Sequence, residues 1–492
     1  MKTSSNIYSI ILGKNASGKS ELLRETISSI LRVKIEDEKL SPYIDLLDPY
    51  LNEKYKSLTP PRTANIKLEI LTDDGKKITV RTSKTNEPRK IINFKGEDTY
   101  LRDESFRYES SIELQENNQK FRDLIKNTKL IAVSESPYIK FPEMKNNGEL
   151  NYHYLHHRKT NDSSMKFWTD EEKADDKVQT LTSSLLELLS RESNFTPYSI
   201  LKFVGLDAYI NLKLKLNNDY LRKSEDLKSK YEEERIKSED TSTFEEDILN
   251  ANEVIDLFIK EKDSKSTLSQ KFSSESVNIN FSMNSRDIYS PKAIKKLIDL
   301  GILNLIETEF KCKDNSINAM SLSSGQLSIL NTVAGIDSLL EDNSIIFIDE
   351  PEISLHPEWQ SLFMPFITKQ FNKYNNCHFI IATHSPHVIS NVKSNNSFVL
   401  LIEEESVKTI DGAQVAKKST DLLLTLLFKT PGHKNEYLLR LLLTTYSKLV
   451  DKISLNADDV KSLEIAKEYY NELDSDDPVR YITEKALDLY AN

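Results

Sequence analysis

The chain has 492 residues, 38% hydrophobic and 29% charged, with a net charge of −11 and a pI near 5.5. That length allows more than one cooperative unit, and the acidic balance excludes coating of nucleic acid by bulk charge, leaving at most a local basic groove. No stretch is apolar for long enough to span a bilayer, two distant cysteines, Cys312 and Cys377, cannot build a disulfide framework or a Cys-based zinc site, and the apolar run Ile7–Leu12 is too short for a secretory signal, so a cytoplasmic location is expected.

Ile7–Leu12 reads as a strand buried on both faces. It runs into Gly13, Lys14, Asn15, Ala16, Ser17, Gly18, Lys19 and Ser20, and then into a helical pattern from Glu21 to Leu31. This is the full G-x-x-x-x-G-K-[ST] pattern in a strand–loop–helix context, the cradle for a polyphosphate. Gly13 and Gly18 let the backbone wrap closely, the loop N–H groups and the helix N-terminus supply positive potential, Lys19 reaches the β- and γ-phosphates, and the Ser20 hydroxyl ligates Mg2+.

Residues 34–62 are charged and proline-dotted, which predicts irregular and short helical structure. Residues 64–83 predict a β-hairpin: Ile66, Leu68 and Ile70 alternate, Asp74 and Gly75 turn, and Ile78 and Val80 return. Residues 98–127 read as polar helix, and Lys129–Val133 as a second buried strand followed by Ser134. His153, His156 and His157 cluster in a polar stretch, but no acidic or cysteine partner stands at ligand spacing, so a solvated strand and loop is expected there rather than a metal site. Residues 178–272 read as mostly helical. Leu221, Leu227, Tyr231 and Ile236 mark one amphipathic face; Phe244, Ile248, Ile255 and Phe258 mark another. Interspersed charges point to a packed helical insertion rather than a DNA-contacting arm.

Strand alternation returns at Val277–Met283, and Pro291–Gly301 reads as a helix stopped by its glycine. Ser323, Ser324, Gly325 and Gln326 then open a helical run, Leu327–Leu340, giving a second anion-binding helix end. About twenty residues later, Ile345–Ile348 run into two adjacent carboxylates, Asp349 and Glu350, followed by Pro351. Charges are not tolerated inside a strand buried on both faces, so the pair is expected at the C-terminal mouth of the strand, the edge where open α/β sheets bind ligands. Cys377–Ala382 predicts a further buried strand that places His384 at the same edge, where it can contact a γ-phosphate or the attacking water. Phe398–Ile402 is a strand, and the remainder is mainly helical, with Asn456 and Asp477 as caps.

Taken together, these motifs resemble the ABC-type ATPase superfamily, in the branch with SMC-like and OLD-like heads. Gly13–Ser20 resembles its Walker A, Leu322–Gln326 its LSGGQ signature with Ser324 in place of a glycine, Ile345–Glu350 its Walker B with catalytic glutamate, Pro351–Pro357 its D-loop and His384 its switch histidine. The blocks Ile131–Pro142 and Cys377–Pro386 further resemble bacterial anti-phage defence ATPases of the PtuA type (Septu and some retrons) and the AriA type (PARIS). One departure is Ser134, which stands where the family's Q-loop glutamine follows the strand.

The resemblance implies an α/β P-loop head with a β-subdomain, formed by residues 1–176 and 276–402, a helical insertion at 177–275 and a C-terminal mainly helical region at 403–492. It implies ATP and Mg2+ as ligands, with Ser20 and Asp349 on the metal, Glu350 polarising water and His384 orienting it. It also implies a homodimer or higher even-numbered homo-oligomer, in which Walker A of one protomer faces Ser323–Gln326 of another. The function expected is an ATPase that holds a separate HNH or TOPRIM effector nuclease, with DNA contact open. The alternatives are an OLD-like ATPase that is itself a nuclease, an SMC- or RecN-like repair ATPase, and a transporter ATPase. No late buried strand ends in paired aspartates, as intrinsic TOPRIM chemistry would need; the insertion is too short for a long coiled coil; and the insertion and the Glu352–Pro357 block argue against a transporter.

Overall fold

In a computed structural model of the chain, the described residues are 6–13, 18–35, 65–71, 77–85, 90–92, 98–100, 107–114, 125–136, 140–142, 150–155, 170–191, 196–217, 244–258, 276–282, 289–313, 315–392, 395–402, 407–416, 418–427, 434–471 and 473–491. In chain order they form β1 (Ile7–Gly13), α1 (Lys19–Ile35), β2 (Asn65–Leu71), β3 (Lys77–Thr85), β4 (Lys90–Ile92), β5 (Asp98–Tyr100), β6 (Arg107–Leu114), β7 (Leu130–Ser134) and β8 (Tyr152–Leu155). Next come α2 (Asp170–Leu189), α3 (Thr196–Phe203), β9 (Tyr209–Leu216), α4 (Phe244–Asp256), β10 (Val277–Ser282), α5 (Pro291–Asp299), β11 (Leu303–Cys312), β12 (Asn315–Asn318) and α6 (Ser324–Leu339). The last part holds β13 (Ile345–Asp349), α7 (Pro357–Gln370), β14 (His378–Thr383), α8 (Pro386–Ser390), β15 (Ser397–Ile402), β16 (Val407–Asp411), α9 (Gly412–Val415), α10 (Thr420–Leu426), α11 (Glu436–Val450), α12 (Ala457–Tyr469) and α13 (Pro478–Ala491).

Two compact units result: residues 1–154 with 341–492, and residues 155–340. The first is built on a seven-stranded sheet of order β16-β15-β1-β14-β13-β7-β8. β1 pairs in parallel with β14 and β15, β13 pairs in parallel with β14 and β7, and β16 closes one edge antiparallel to β15. The fold is therefore the α/β class expected, with a mostly parallel sheet. Ile10, Leu12, Ile131, Ile346, Phe347, Phe379 and Ile381 are all fully buried, which is why these strands read as unbroken apolar runs. α1 presents Leu23, Ile27, Ile30 and Leu31, spaced as one helical face, to Ile11, Leu130, Ala132, Phe347 and Ala382.

Ladders settle two regions that periodicity misassigned. The hairpin stands as expected, with Leu68 opposite Val80 and Ile70 opposite Ile78; its Asp74 and Gly75 lie outside the described residues. Within the polar helix expected over residues 98–127, residues 98–100 and 107–114 are instead β5 and β6, residues 125–127 are helical and the rest lie outside the described residues; β6 extends the hairpin by pairing Arg107–Leu114 with β3. Tyr108, Ser110, Ile112 and Leu114 do alternate with charged and polar neighbours, but the partner that makes a strand of them lies some thirty residues upstream. Within the segment read as helical insertion, Tyr209–Leu216 is likewise a strand, the one between β10 and β11 in a four-stranded antiparallel sheet. Its buried Ile210, Leu212, Leu214 and Leu216 follow a strict period of two. The amphipathic helix expected around Leu221–Ile236 lies outside the described residues, whereas α4 is present and buries Ile248 and Ile255, with Phe258 just beyond its end. β16 is a further strand in the region read as mainly helical.

The C-terminal α11, α12 and α13 pack on Leu438, Leu442, Leu463, Ala466, Val479 and Ala486. Asn456 caps α12 in a reciprocal capping box with Asp459. Asp477 is fully buried, accepting from the Lys434 N–H at 2.7 Å and the Val479 N–H at 2.8 Å.

Lys34, near the end of α1, is 3% exposed and donates to the Lys126 carbonyl at 2.9 Å and the Thr128 carbonyl at 2.6 Å, tying the phosphate-loop helix to the entry of β7. Burial pushes its pKa down from 10.5 to about 8. The folded state thus binds fewer protons than the unfolded state between those values, so stability rises with pH there. Against K34M, the wild type should gain on the order of 3 kcal/mol as pH rises from about 8 to about 10.5; urea unfolding of both proteins across that range measures it.

Candidate functional site

The register of the parallel strands brings the expected groups to one edge. Leu12 lies opposite Thr383 and Asp349 opposite Ala382 and Ser134, so β1, β14, β13 and β7 end together. Gly13 is the last residue of β1, Lys19 and Ser20 open α1, Asp349 closes β13, and Glu350 and His384 each lie one residue beyond a strand. Lys14, Asn15, Ala16 and Ser17 lie outside the described residues. Gly18 has φ +84, a left-handed conformation that only glycine adopts without strain, and its carbonyl receives the first helical hydrogen bond, from Leu22.

The Lys19 ammonium is 4% exposed and donates to the Gly13 carbonyl at 2.8 Å. It lies 3.1 Å from His384 Nδ1. An ammonium only donates, so Nδ1 is the acceptor and the imidazole proton sits on Nε2, which faces Glu350 Oε1 at 3.5 Å. The histidine thus bridges the phosphate-loop lysine and the glutamate. Burial lowers the Lys19 pKa from 10.5 to about 8, against the opposing pull of Glu350, Glu352 and Asp349. The hydrogen bond with His384 holds the Glu350 carboxyl below its ordinary range despite partial burial, so it is ionised at neutral pH. Glu350 has φ +52, uncommon for a residue with a Cβ, and its N–H donates to the Ala382 carbonyl at 2.9 Å. That bond fixes the strained turn that points the carboxylate at His384 rather than along the strand.

Ser20 Oγ donates to Asp349 Oδ1 at 2.9 Å. Asp349 is 1% exposed, and its Oδ2 has no hydrogen-bond partner among the described residues. Burial raises its pKa to about 6, with the Ser20 hydrogen bond opposing and Glu350 adding to the rise. A buried hydroxyl–carboxylate pair with an orphaned oxygen fits a hard divalent cation that keeps most of its water, as Mg2+ does.

Two groups at this edge have no role in the sequence reading. The Glu352 carboxylate accepts from the His384 backbone N–H at 2.5 Å. Lys140 adds positive potential at Asp349 and Glu350; its backbone N–H donates to Tyr154 Oη at 3.2 Å. An acidic residue in the turn directly after the carboxylate pair was a signal for Glu352; nothing local marked Lys140. Ser134, at the Q-loop position, is buried, and its Oγ accepts from the Ser136 N–H at 3.3 Å.

The signature residues lie in the other unit. Ser323 caps α6 by accepting from the Gln326 N–H at 3.2 Å, and Gln326 Oε1 accepts from the Ser323 N–H at 3.0 Å. Gln326 Nε2 donates to the Val204 carbonyl at 3.1 Å, so its side chain is engaged within the unit. Ser323 and Ser324 are exposed, Gly325 is buried, and most of the helix behind them is buried. Its far end is held by Arg191, which donates to the Asp337 carbonyl at 2.9 Å and the Ser338 carbonyl at 2.5 Å.

His153 sits on β8, its pKa pushed down to about 4 by burial and by Lys129, while His156 and His157 lie outside the described residues. Among the described residues no group of three or more His, Cys, Asp or Glu could hold a metal ion, and no helix is long and apolar enough to cross a membrane. Glu403, Glu404 and Glu405 lie outside the described residues.

A family model described as "AAA domain, putative AbiEii toxin, Type IV TA system" matches residues 9–390. "Retron Ec83 probable ATPase" of Escherichia coli is 29% identical over 212 residues, covering 40% of this chain and 38% of that protein. "Endonuclease GajA" of Bacillus cereus (strain HuB5-5) is 26% identical over 191 residues, covering 34% of this chain and 26% of that protein. The chain thus matches well under half the length of these curated relatives. Among solved structures, the SMC head domain from Thermotoga maritima aligns over 83% of this chain and 91% of that one, at 12% identity and a TM-score of 0.28.

Since the Lys19 ammonium loses its proton above about pH 8, and a bound polyphosphate favours its charged form, nucleotide binding above that pH should take up a proton. Calorimetry of the wild type in buffers of different ionisation enthalpy should show proton uptake at pH 8.5 that falls away by about pH 7.

Proposed function

The chain belongs to this AAA-domain family, and on that footing we propose that it binds and hydrolyses ATP, dimerises around the nucleotide, and controls a separate effector nuclease in anti-phage defence. The observation that carries the ATPase reading is the sheet edge itself, where two sets of contacts, Lys19–His384–Glu350 and Ser20–Asp349, lie side by side through adjacent residues of the chain.

In this reading, Gly13–Ser20 wraps the phosphates, with Lys14, Asn15, Ala16 and Ser17 contributing loop N–H groups. Lys19 exchanges its contacts with the Gly13 carbonyl and His384 for β- and γ-phosphate oxygens. Ser20 and Asp349 would hold Mg2+, which when bound offsets the charge of the phosphate oxygens. Glu350, already ionised, accepts a proton from the attacking water, and His384 Nε2–H orients that water or the γ-phosphate. Since the Gln326 side chain is engaged in its own cap, the signature would meet a second protomer's γ-phosphate through the Ser323 and Ser324 hydroxyls and the free N–H groups of Ser324 and Gly325.

The retron ATPase relative supports a place in defence; the proposal adds an HNH or TOPRIM nuclease as partner, an even-numbered homo-oligomer as assembly and a cytoplasmic location, and leaves DNA contact open. The endonuclease relative keeps an intrinsic nuclease as the second reading. Against that reading, the late acidic residue Asp477 is engaged in capping the Lys434 and Val479 N–H groups.

Three outcomes are expected. E350Q should retain ATP binding and lose about 10²-fold or more in turnover, the scale of a general base, measured by nucleotide binding and phosphate release. K19A should lose ATP affinity by the same binding assay; normal affinity would sink the phosphate-loop assignment. Purified protein with Mg2+ should leave plasmid and linear DNA intact, whereas cleavage abolished by a C-terminal truncation would favour the endonuclease reading.

A further inference from the structure

Besides the Glu350–His384 contact, two links join the chain after β13 to the loop after β14. The first is the Glu352 carboxylate, which accepts the backbone N–H of His384 at 2.5 Å. The second lies further out: Ser385 Oγ donates to Gln360 Oε1 at 2.6 Å, and Gln360 Nε2 donates to the Leu355 carbonyl at 2.9 Å. Glu352 lies in the turn 351–354, which is bracketed by left-handed Glu350 and Ser354 and closed by the Ile353 N–H to the Glu350 carbonyl and the Leu355 N–H to the Glu352 carbonyl. Ser385 in turn caps α8, accepting from the His387 and Val388 N–H groups, and its own N–H donates to Thr383 Oγ1.

The backbone N–H of His384 is held by a side chain from the turn after β13 rather than by a strand or helix partner. A hydrogen bond to the main chain sets the direction of the Cα–Cβ bond and so of the imidazole, which must reach Lys19 on one side and Glu350 on the other. We propose that Glu352 is a positioning residue: its carboxyl oxygen, acting as a hydrogen-bond acceptor, couples the turn after the catalytic glutamate to His384 and keeps the imidazole between Lys19 and Glu350. This rests on the reading of His384 and Glu350 as hydrolytic residues. Burial raises the Glu352 pKa, while hydrogen bonds from the His384 backbone N–H and the Thr383 side chain oppose the rise.

The test is ATP hydrolysis by the full chain carrying E352A, E352M or E352Q, each alone and with H384A. E352A should lose about 10²-fold in kcat, the cost of roughly 1 Å of misplacement at a catalytic group, with KM for ATP unchanged. E352M, which keeps the volume without an acceptor, should match E352A. E352Q, which keeps the acceptor, should restore kcat to near the wild type. In the H384A background none of the three should lower kcat further, because the effect passes through that histidine. Wild-type kcat in E352M, an E352Q as impaired as E352A, or losses that add fully to H384A would each overturn the proposal. A wild-type chain that hydrolyses no ATP would instead overturn the functional reading beneath it. Should E352A fail to fold, the E352M and E352Q pair decides alone.

Discussion

Asp349 is the constraint around which the first unit is arranged. A carboxylate at the end of a strand buried on both faces is costly, and a pKa raised by about two units corresponds to roughly 3 kcal/mol against its charged form. Among the described residues no direct ion pair neutralises it. The fold supplies one hydroxyl, from Ser20, and leaves the second oxygen unpartnered among the described residues. The Ser20 contact docks the N-terminus of α1 onto the mouth of β13, while Leu23, Ile27, Ile30 and Leu31 hold the rest of the helix to the sheet. The start of α1 is thereby fixed relative to the carboxylates, and in the proposed ATPase reading the unmet electrostatic demand of Asp349 is where Mg2+ would be held.

The neighbouring groups divide this field between them. Two carboxylates adjacent in sequence are driven apart in character: Asp349 is enclosed and pushed up, whereas Glu350 turns through a left-handed residue toward His384 and is held down. Environments that separate the titration of two such groups suit them to different work, which in the proposed reading is a cation for one and a proton for the other. Lys19, 4% exposed and shared between the Gly13 carbonyl and His384, is the cation through which both carboxylates sense the phosphate loop. His384 is therefore better described as a relay between lysine and glutamate than as a lone residue at a strand end.

The second unit presents a different device. α6 is buried along most of its length, capped at its start by Ser323 and Gln326 and at its end by Arg191, yet its first turn is exposed. A helix start exposed in this way favours an anion through its dipole, which is what the proposed signature role would use.

By itself, the sequence determined the parallel strands and the residues at their mouths. Unbroken apolar runs ending in Gly13, Asp349 and His384 can satisfy burial only in a covered sheet, and a glycine-rich turn between strand and helix has few other physical solutions. Caps were legible for the same reason: Asn456, Ser323 and Asp477 act within a few residues of themselves. Tertiary structure alone decided what depended on distant partners. β6 and β9 became strands because β3, β10 and β11 offered ladders, although β9 carried its period of two in plain view. Likewise, Glu352 meets His384 and the charge of Lys140 acts on Asp349 and Glu350 only because parallel pairing gathers residues more than thirty and two hundred positions apart onto one edge. Local chemistry writes the motif; the sheet register decides which motifs meet.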